Sequence, residues 1–205
     1  CHDQPIDGLR MLNTNNPFLA QNLAIYNCGG IGVHSPYTDM TDAVQMVAGR
    51  FNNLYVRNNG TGMRFVRMNS SVVENSAIVN NTDVGIEIIG GNNNTVRDTI
   101  IEMNGAEGMT ISSPSPGVYP ESVLVENCRF EMNHYGGGGD SLSIDFRSRG
   151  IVVMGGRFQS DDVGIRIAGD NVSVIGAEFV TGDASHALRD LIIAIESTAR
   201  GTLIL

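Results

Sequence analysis

Apolar residues recur along this chain as short alternations that follow a glycine. Gly62-Met63-Arg64-Phe65, Gly85-Ile86-Glu87-Ile88, Gly108-Met109-Thr110-Ile111 and Gly164-Ile165-Arg166-Ile167 each read glycine, apolar, polar, apolar. Looser copies stand at Gly32-Val33-His34 and at Ser141-Leu142-Ser143-Ile144, where serine takes the glycine slot. Such a tetrad predicts a short strand with one buried face, entered through a backbone position that avoids a side chain. From slot to slot the steps are 30, 23, 23, 33 and 23 residues, so the two long steps are one 23-residue period with seven and ten residues added.

Asparagine follows the same period. Asn58, Asn81 and Asn104 each precede a tetrad glycine by four residues and stand 23 apart. A second register agrees with the first. Val73-Glu74-Asn75-Ser76 matches Val125-Glu126-Asn127-Cys128, and Asn75 to Asn81, Asp98 to Asn104 and Asn127 to Asn133 each span six residues. Self-similarity at a fixed period of this length predicts a solenoid. A leucine-rich repeat would need the L-x-x-L-x-L-x-x-N pattern, which is absent; short β-branched runs broken by Asn and Gly predict several strands and turns per coil. The predicted fold class is therefore all-β, a right-handed single-stranded parallel β-helix of about seven to eight coils of ~23 residues. Equivalent residues of neighbouring coils would lie roughly 4.8 Å apart, so stacked asparagines are expected to satisfy turn amides from one coil to the next.

Composition narrows the function classes. Gly (25) and Asn (20) together exceed a fifth of the 205 residues, which suits turn-dense stacking and argues against a helical protein. The net charge of −9, with no basic stripe, disfavours nucleic acid. No apolar run approaches the ~20 residues of a membrane-spanning helix, and no signal peptide is visible. Cys1, Cys28 and Cys128 are odd in number and lack metal-ligand spacing. Cys28 and Cys128 both follow asparagines that look equivalent, which predicts small core fillers and no disulfide. Residues 1–205 read as one β-helix domain. The chain opens at Cys1 without an amphipathic capping helix and stops at the apolar Gly201-Thr202-Leu203-Ile204-Leu205, so it is expected to be a segment of a longer polypeptide or of a tight oligomer.

Three insertions decorate the stack, at about 35–49, 112–120 and 134–140. The first contains Asp39 to Gly49, read as a two-turn helix capped by Asp39 and ending at Gly49. The other two flank one long coil and are the places where recognition is expected on a rigid solenoid. Next to them the register stacks Glu102 under Glu131, with Gln159 in the following coil; two residues earlier on the same face come Arg129, Arg157 and Glu178. Both carboxylates follow apolar positions, Ile101 and Phe130, and should point outward. Two carboxylates one coil apart match the ~5–5.5 Å separation of retaining glycosidases, and a diagonal pair the inverting range. Glu102 and Glu131 are thus the candidate catalytic acid and nucleophile or base, with Arg129, Arg157, His134, Tyr135 and Asp140 lining the groove. The alternative is that both glutamates are solvated and paired with Arg129. His34 falls on an outward strip with Arg64, Glu87, Thr110, Ser143 and Arg166, read as a solvent-facing row. Tryptophan is absent, leaving Tyr26, Tyr37, Tyr55, Tyr119 and Tyr135 as sugar-stacking candidates. No metal or cofactor is expected.

The asparagine-spaced glycine-apolar-x-apolar coils resemble the pectin-lyase-like parallel β-helix superfamily over nearly the whole chain. Asn81-Thr82-Asp83 and Asp161-Asp162 resemble the N-T-D and D-D pieces of its polygalacturonases, but here they stand three coils apart and no G-H-G or R-I-K follows. No acidic trio stacks on one strand as calcium-dependent pectate lyases would require. The insertion-decorated, acidic stack is most similar to bacteriophage tailspike and polysaccharide depolymerase β-helices. The resemblance implies a glycan-binding and glycan-cleaving β-helix, acting on capsule, lipopolysaccharide or a similar polysaccharide. It also implies a homotrimer, extracellular or on a virion surface, with no nucleic-acid partner. The alternative is a non-catalytic structural spacer or adhesin.

Overall fold

The computed structural model describes residues 6–11, 17–36, 47–115, 118–134, 140–160, 163–181 and 191–205. Every sheet pairing among them is parallel, and sequence-distant strands are neighbours, as a wound solenoid requires. One sheet runs through Leu9–Arg10, Ile31–Ser35, Thr61–Val66, Ile86–Ile89, Met109–Ser112, Asp140–Ile144, Val163–Ile167 and Leu191–Ile195. A second sheet carries two series of short strands. One series includes Val72–Glu74, Thr95–Arg97, Leu124–Glu126, Val152–Met154 and Ser173–Ile175; the other includes Ala77–Val79, Ile100–Glu102, Arg129–Glu131, Arg157–Ser160 and Glu178–Thr181. The nine-residue strand Gly49–Arg57 pairs with the first strand of both series, so the sheet is continuous there and bends into two faces further along.

The tetrads are the register. Val33 pairs with Met63, Met63 with Ile86, Ile86 with Met109, Met109 with Leu142 and Leu142 with Ile165, which puts Gly32, Gly62, Gly85, Gly108, Ser141 and Gly164 in one column. Pairing of Leu9 with Val33 adds Gly8 to it. The alternate apolar residues fill one continuous core. Met63, Phe65, Ile86, Ile88, Met109, Ile111, Leu142, Ile144, Ile165 and Ile167 are all buried. On the opposite side, Phe130, Phe158 and Phe179 stack with ring centroids 4.8 and 5.4 Å apart. Among the described residues no helix is long and apolar enough to cross a membrane.

Two asparagine ladders support the turns. The buried one consists of Asn59, Asn81, Asn104 and Asn133, in which each side-chain amide donates to the Oδ1 of the next at 3.1, 2.9 and 2.8 Å. The expected member Asn58 is not in this ladder: it is exposed at φ 53° and donates to Asn27 Oδ1. The second ladder is exposed and left-handed. Asn22, Asn53, Asn75, Asp98 and Asn127 all have φ between 48° and 57°, the region that asparagine and aspartate tolerate best among residues with a Cβ.

The cysteines also need correction. Cys28 donates its backbone amide to Asn59 Oδ1 and so caps the buried ladder. Cys128 belongs to another turn, stacked on Thr99 and Ser76, each of which donates its side chain to the carbonyl two residues earlier. The preceding asparagines are therefore not equivalent, although both cysteines are buried free thiols as expected. The capped helix of Asp39–Gly49 falls largely on residues outside the described ones. Its far end is extended instead, with Val47 bridged to Asn69 and Gly49 opening a strand.

Burial, with the nearby charges of Asp98 and Glu126, pushes the Cys128 thiol from 9.0 up to about 12, prevailing over the hydrogen bonds to the Thr99 and Glu126 backbone that act the other way. A thiol reagent at pH 8, read by mass spectrometry, is therefore expected to leave Cys128 unlabelled until the chain unfolds. The unfolded thiol ionises first as pH rises, so its contribution to stability is complete below about pH 9 and is lost progressively from there toward pH 12.

Candidate functional site

Strand alternation fixes what the third face presents. Ile78, Ile101, Phe130 and Phe158 form a buried column, so the residues on either side of each must point out. One flanking row reads Tyr55, Ala77, Ile100, Arg129, Arg157 and Glu178; the other reads Arg57, Val79, Glu102, Glu131, Gln159 and Val180. Glu102 and Glu131 are thus in direct register, 29 residues apart in sequence and adjacent in space.

They are not an isolated acid pair. Arg129 Nη2 lies 2.6 Å from Glu102 Oε2, and Arg129 Nε lies 3.4 Å from Glu131 Oε2, so one guanidinium bridges both carboxylates. The side chains are 26% and 28% exposed, on an open sheet face. A general acid of the retaining-glycosidase kind is built from a carboxyl in an apolar pocket; here the surroundings are polar and the nearest group is a cation. Arg157 continues the row and donates to Gln159 Oε1 at 3.4 Å. All thirteen basic residues of the chain are arginines, whose flat, five-donor head suits such bridging better than an ammonium does.

The turn after each glutamate is unusual. Asn27, Asn58 and Asn80 occupy the left-handed position in earlier coils, but Met103 and Met132 take it here, at φ 56° and 51°. A long side chain in this region costs about 1–2 kcal/mol relative to a right-handed residue. Met103 is exposed, so an apolar lip stands directly beside the charged face.

The remaining predicted groove residues separate. His134 is in the turn that follows Glu131, its amide donating to Asn104 O and Ala106 O at 2.7 and 2.9 Å; its Nδ1 is buried without a hydrogen-bond partner. Tyr135 lies outside the described residues. Asp140 leaves the face altogether: it starts a strand of the other sheet, is buried, and pairs with Arg166 Nε at 2.8 Å. It cannot line a groove with Glu131 while engaged there. Asp161-Asp162 is also outside the described residues, and Asn81 of the N-T-D piece is committed to the buried ladder. No group of three or more His, Cys, Asp or Glu that could hold a metal occurs among the described residues.

Sequence reading missed the pairing within the outward strip of the first sheet. Arg64 binds Glu87, Arg166 bridges Asp140 and Glu196, and His34 Nδ1 lies 2.6 Å from Asp7 Oδ2. Burial works against ionising Asp7, but the hydrogen bonds from His34 and the Ile31 amide, with the charges of His34 and Arg10, outweigh it and hold the carboxyl below its ordinary value. The His34 ring is therefore oriented by a carboxylate one coil away, and only the 24-residue step from Gly8 to Gly32 could have signalled it.

The family described as right handed beta helix region matches residues 5–179. No curated protein matches the chain in sequence. Among solved structures, the A-module of a mannuronan C-5 epimerase from Azotobacter vinelandii is similar at a TM-score of 0.60 and 14% identity, over 97% of this chain and 54% of that one. The enzymatically active domain of tailspike protein 2 of bacteriophage CBA120 is similar at 0.56 and 10% identity, over 96% of this chain and 36% of that one. This chain thus spans about half the length of the first and about a third of the second. At such identities the likeness is one of fold.

Proposed function

The chain belongs to the right-handed β-helix family, and on that footing we propose that it binds polysaccharide across the face built by Glu102, Arg129, Glu131, Arg157 and Gln159. The observation that carries this reading is the juxtaposition of two in-register glutamates bridged by Arg129 with methionines at the two left-handed positions beside them. Earlier coils use asparagine at this corner, so the strained methionines set this part of the face apart from them. Alternating donors and acceptors suit hydroxyl groups, each of which can both donate and accept, and the exposed Met103 offers an apolar edge for the carbon face of a sugar ring. The neighbouring folds, an epimerase of mannuronan and a phage tailspike domain, are consistent with a polymeric glycan.

The finer reading is a tailspike-type depolymerase, a homotrimer on a virion or cell exterior, that recognises and cuts a surface glycan with Glu102 and Glu131 as acid and nucleophile or base. The bridging Arg129 favours a second reading, a non-catalytic β-helix that binds only, because both carboxylates already have a partner. Incubation with purified capsule or lipopolysaccharide, followed by a count of new reducing ends, separates the two. For the depolymerase, Glu102→Gln with Glu131→Gln is expected to lower cleavage by about 10²–10⁴-fold while binding persists. Unchanged cleavage would remove these residues from the chemistry, and a wild type that binds without cutting selects the second reading.

A further inference from the structure

The described residues of the insertion at 112–120 border a cleft at the turn between the first sheet and the strands Thr95–Arg97 and Leu124–Glu126. The insertion's return is fixed by hydrogen bonding. Ser113 Oγ donates to Val118 O at 2.5 Å, Ser115 bridges to Val118, and Pro120–Glu121 pairs in parallel with Gly91–Asn92 of the coil before. Gly91 itself lies tight over the coil before it: its φ is +89°, and a Cβ there would lie 2.0 Å from Met68 O. The result is a cleft of about 240 Å³ lined by Arg67, Asn69, Asn92, Val118, Tyr119 and Glu121, which come from three successive coils. From a fourth coil the Arg149 guanidinium lies 4.5 Å from the centroid of the Tyr119 ring and holds it in place. Asn69 Oδ1 accepts the Asn92 amide at 2.7 Å, tying two of the lining coils together.

We infer that this cleft is a second carbohydrate subsite that takes one pyranose unit of the polysaccharide, a branch or terminal residue, through the polar groups of Arg67, Asn69, Asn92 and Glu121. The inference deepens the polysaccharide reading above and rests on it. Size sets the first limit, since 240 Å³ is below the 300–1,000 Å³ of sites for drug-sized ligands and fits a single ring. Chemistry sets the second. Amide, guanidinium and carboxylate groups together offer donors and acceptors, as a polyhydroxylated ring needs; a phosphate or sulfate would need donors only, and Glu121 would repel it.

The test uses the whole chain and two substitutions, Tyr119→Ala and Glu121→Gln, with thermal unfolding to establish that each is folded. Glucose, galactose, mannose and glucuronate are titrated at millimolar concentration while the Asn69 and Asn92 side-chain amide signals are followed by NMR, with inorganic phosphate as control. At least one sugar is expected to shift those signals, the affinity read from the shift falls tenfold or more in Glu121→Gln and also falls in Tyr119→Ala, which opens one wall of the cleft, and phosphate leaves wild type unchanged. No shift with any sugar, or a shift with phosphate alone, overturns the subsite. Retention of the variants on immobilised capsule or lipopolysaccharide is measured in parallel. If wild type is retained and both variants are retained equally, the subsite fails and the polysaccharide reading stands; if wild type is not retained, the polysaccharide reading itself fails.

Discussion

Asn104→Ala is expected to lower the free energy of unfolding by about 3–5 kcal/mol, read from the shift of the urea midpoint. The side chain is fully buried and makes four hydrogen bonds. Its Oδ1 accepts the Asn81 backbone amide at 3.2 Å and the Asn81 side-chain amide at 2.9 Å, and its Nδ2 donates to Asn133 Oδ1 at 2.8 Å and Ile78 O at 3.2 Å. Truncation leaves the Asn81 backbone and side-chain amides without their acceptor, away from water, and takes one of two donors from Asn133 Oδ1, which keeps the Asn104 backbone amide at 3.3 Å. Each such orphan costs about 1–3 kcal/mol, and no rearrangement restores them because the ladder is continuous on both sides. Asn75→Ala is the control. Its link to Asn52 Oδ1 at 3.1 Å is exposed, water replaces it, and the remaining cost of alanine in the left-handed region is about 1–2 kcal/mol.

Gly62→Ala should cost about 3 kcal/mol or more by the same measurement, although it adds one methyl group. The new Cβ would stand 2.4 Å from Gly85 O, 2.6 Å from Ile78 Cγ2 and 2.9 Å from Asn81 Nδ2. Gly85 O is the acceptor of the Met63 amide at 2.8 Å, so relieving the clash means opening a rung-to-rung hydrogen bond and disturbing the buried ladder together. Gly176→Ala separates crowding from backbone preference. Gly176 has φ +63° with no atom within 4 Å of the added carbon, so only the left-handed penalty of about 1–2 kcal/mol applies. Equal losses at the two positions would mean that the glycine column reflects conformational preference and not contact between coils.

Much of the stacking was legible because it rests on contacts that repeat. A glycine whose Cβ would strike the next coil, followed by alternate buried residues, leaves the same four-letter trace wherever a coil begins, and that trace put Glu102 over Glu131 correctly. The asparagine error has a local cause. Asn59 is three residues before its glycine, whereas Asn81 and Asn104 are four before theirs. The coil of Asn59 has one residue fewer in that turn, and the preceding Asn58 restores the apparent 23-residue step. The cysteines misled in the same way, through identical dipeptides in different turns. What periodicity could not show is how charged side chains divide their partners. Arg129 reaches back to one coil and sideways along its own strand, Asp140 turns toward Arg166, and Asp7 meets His34 across a step with no full tetrad. The Tyr119 cleft depends on an inserted loop returning over three coils, which no single period encodes.

Whether residues 28 positions apart in the chain act as one binding face is tested most directly by titrating wild type and an Arg129→Ala/Arg157→Ala variant with the same purified capsule and lipopolysaccharide glycans. Arg157 pairs in register with Arg129, and both are exposed on the face, so the variant should keep its fold and its thermal midpoint within a few degrees. Affinity for the bound glycan is expected to fall at least tenfold, about 1.4 kcal/mol, through loss of the guanidinium donors. Unchanged affinity in a folded variant would contradict the assignment of this face to polysaccharide.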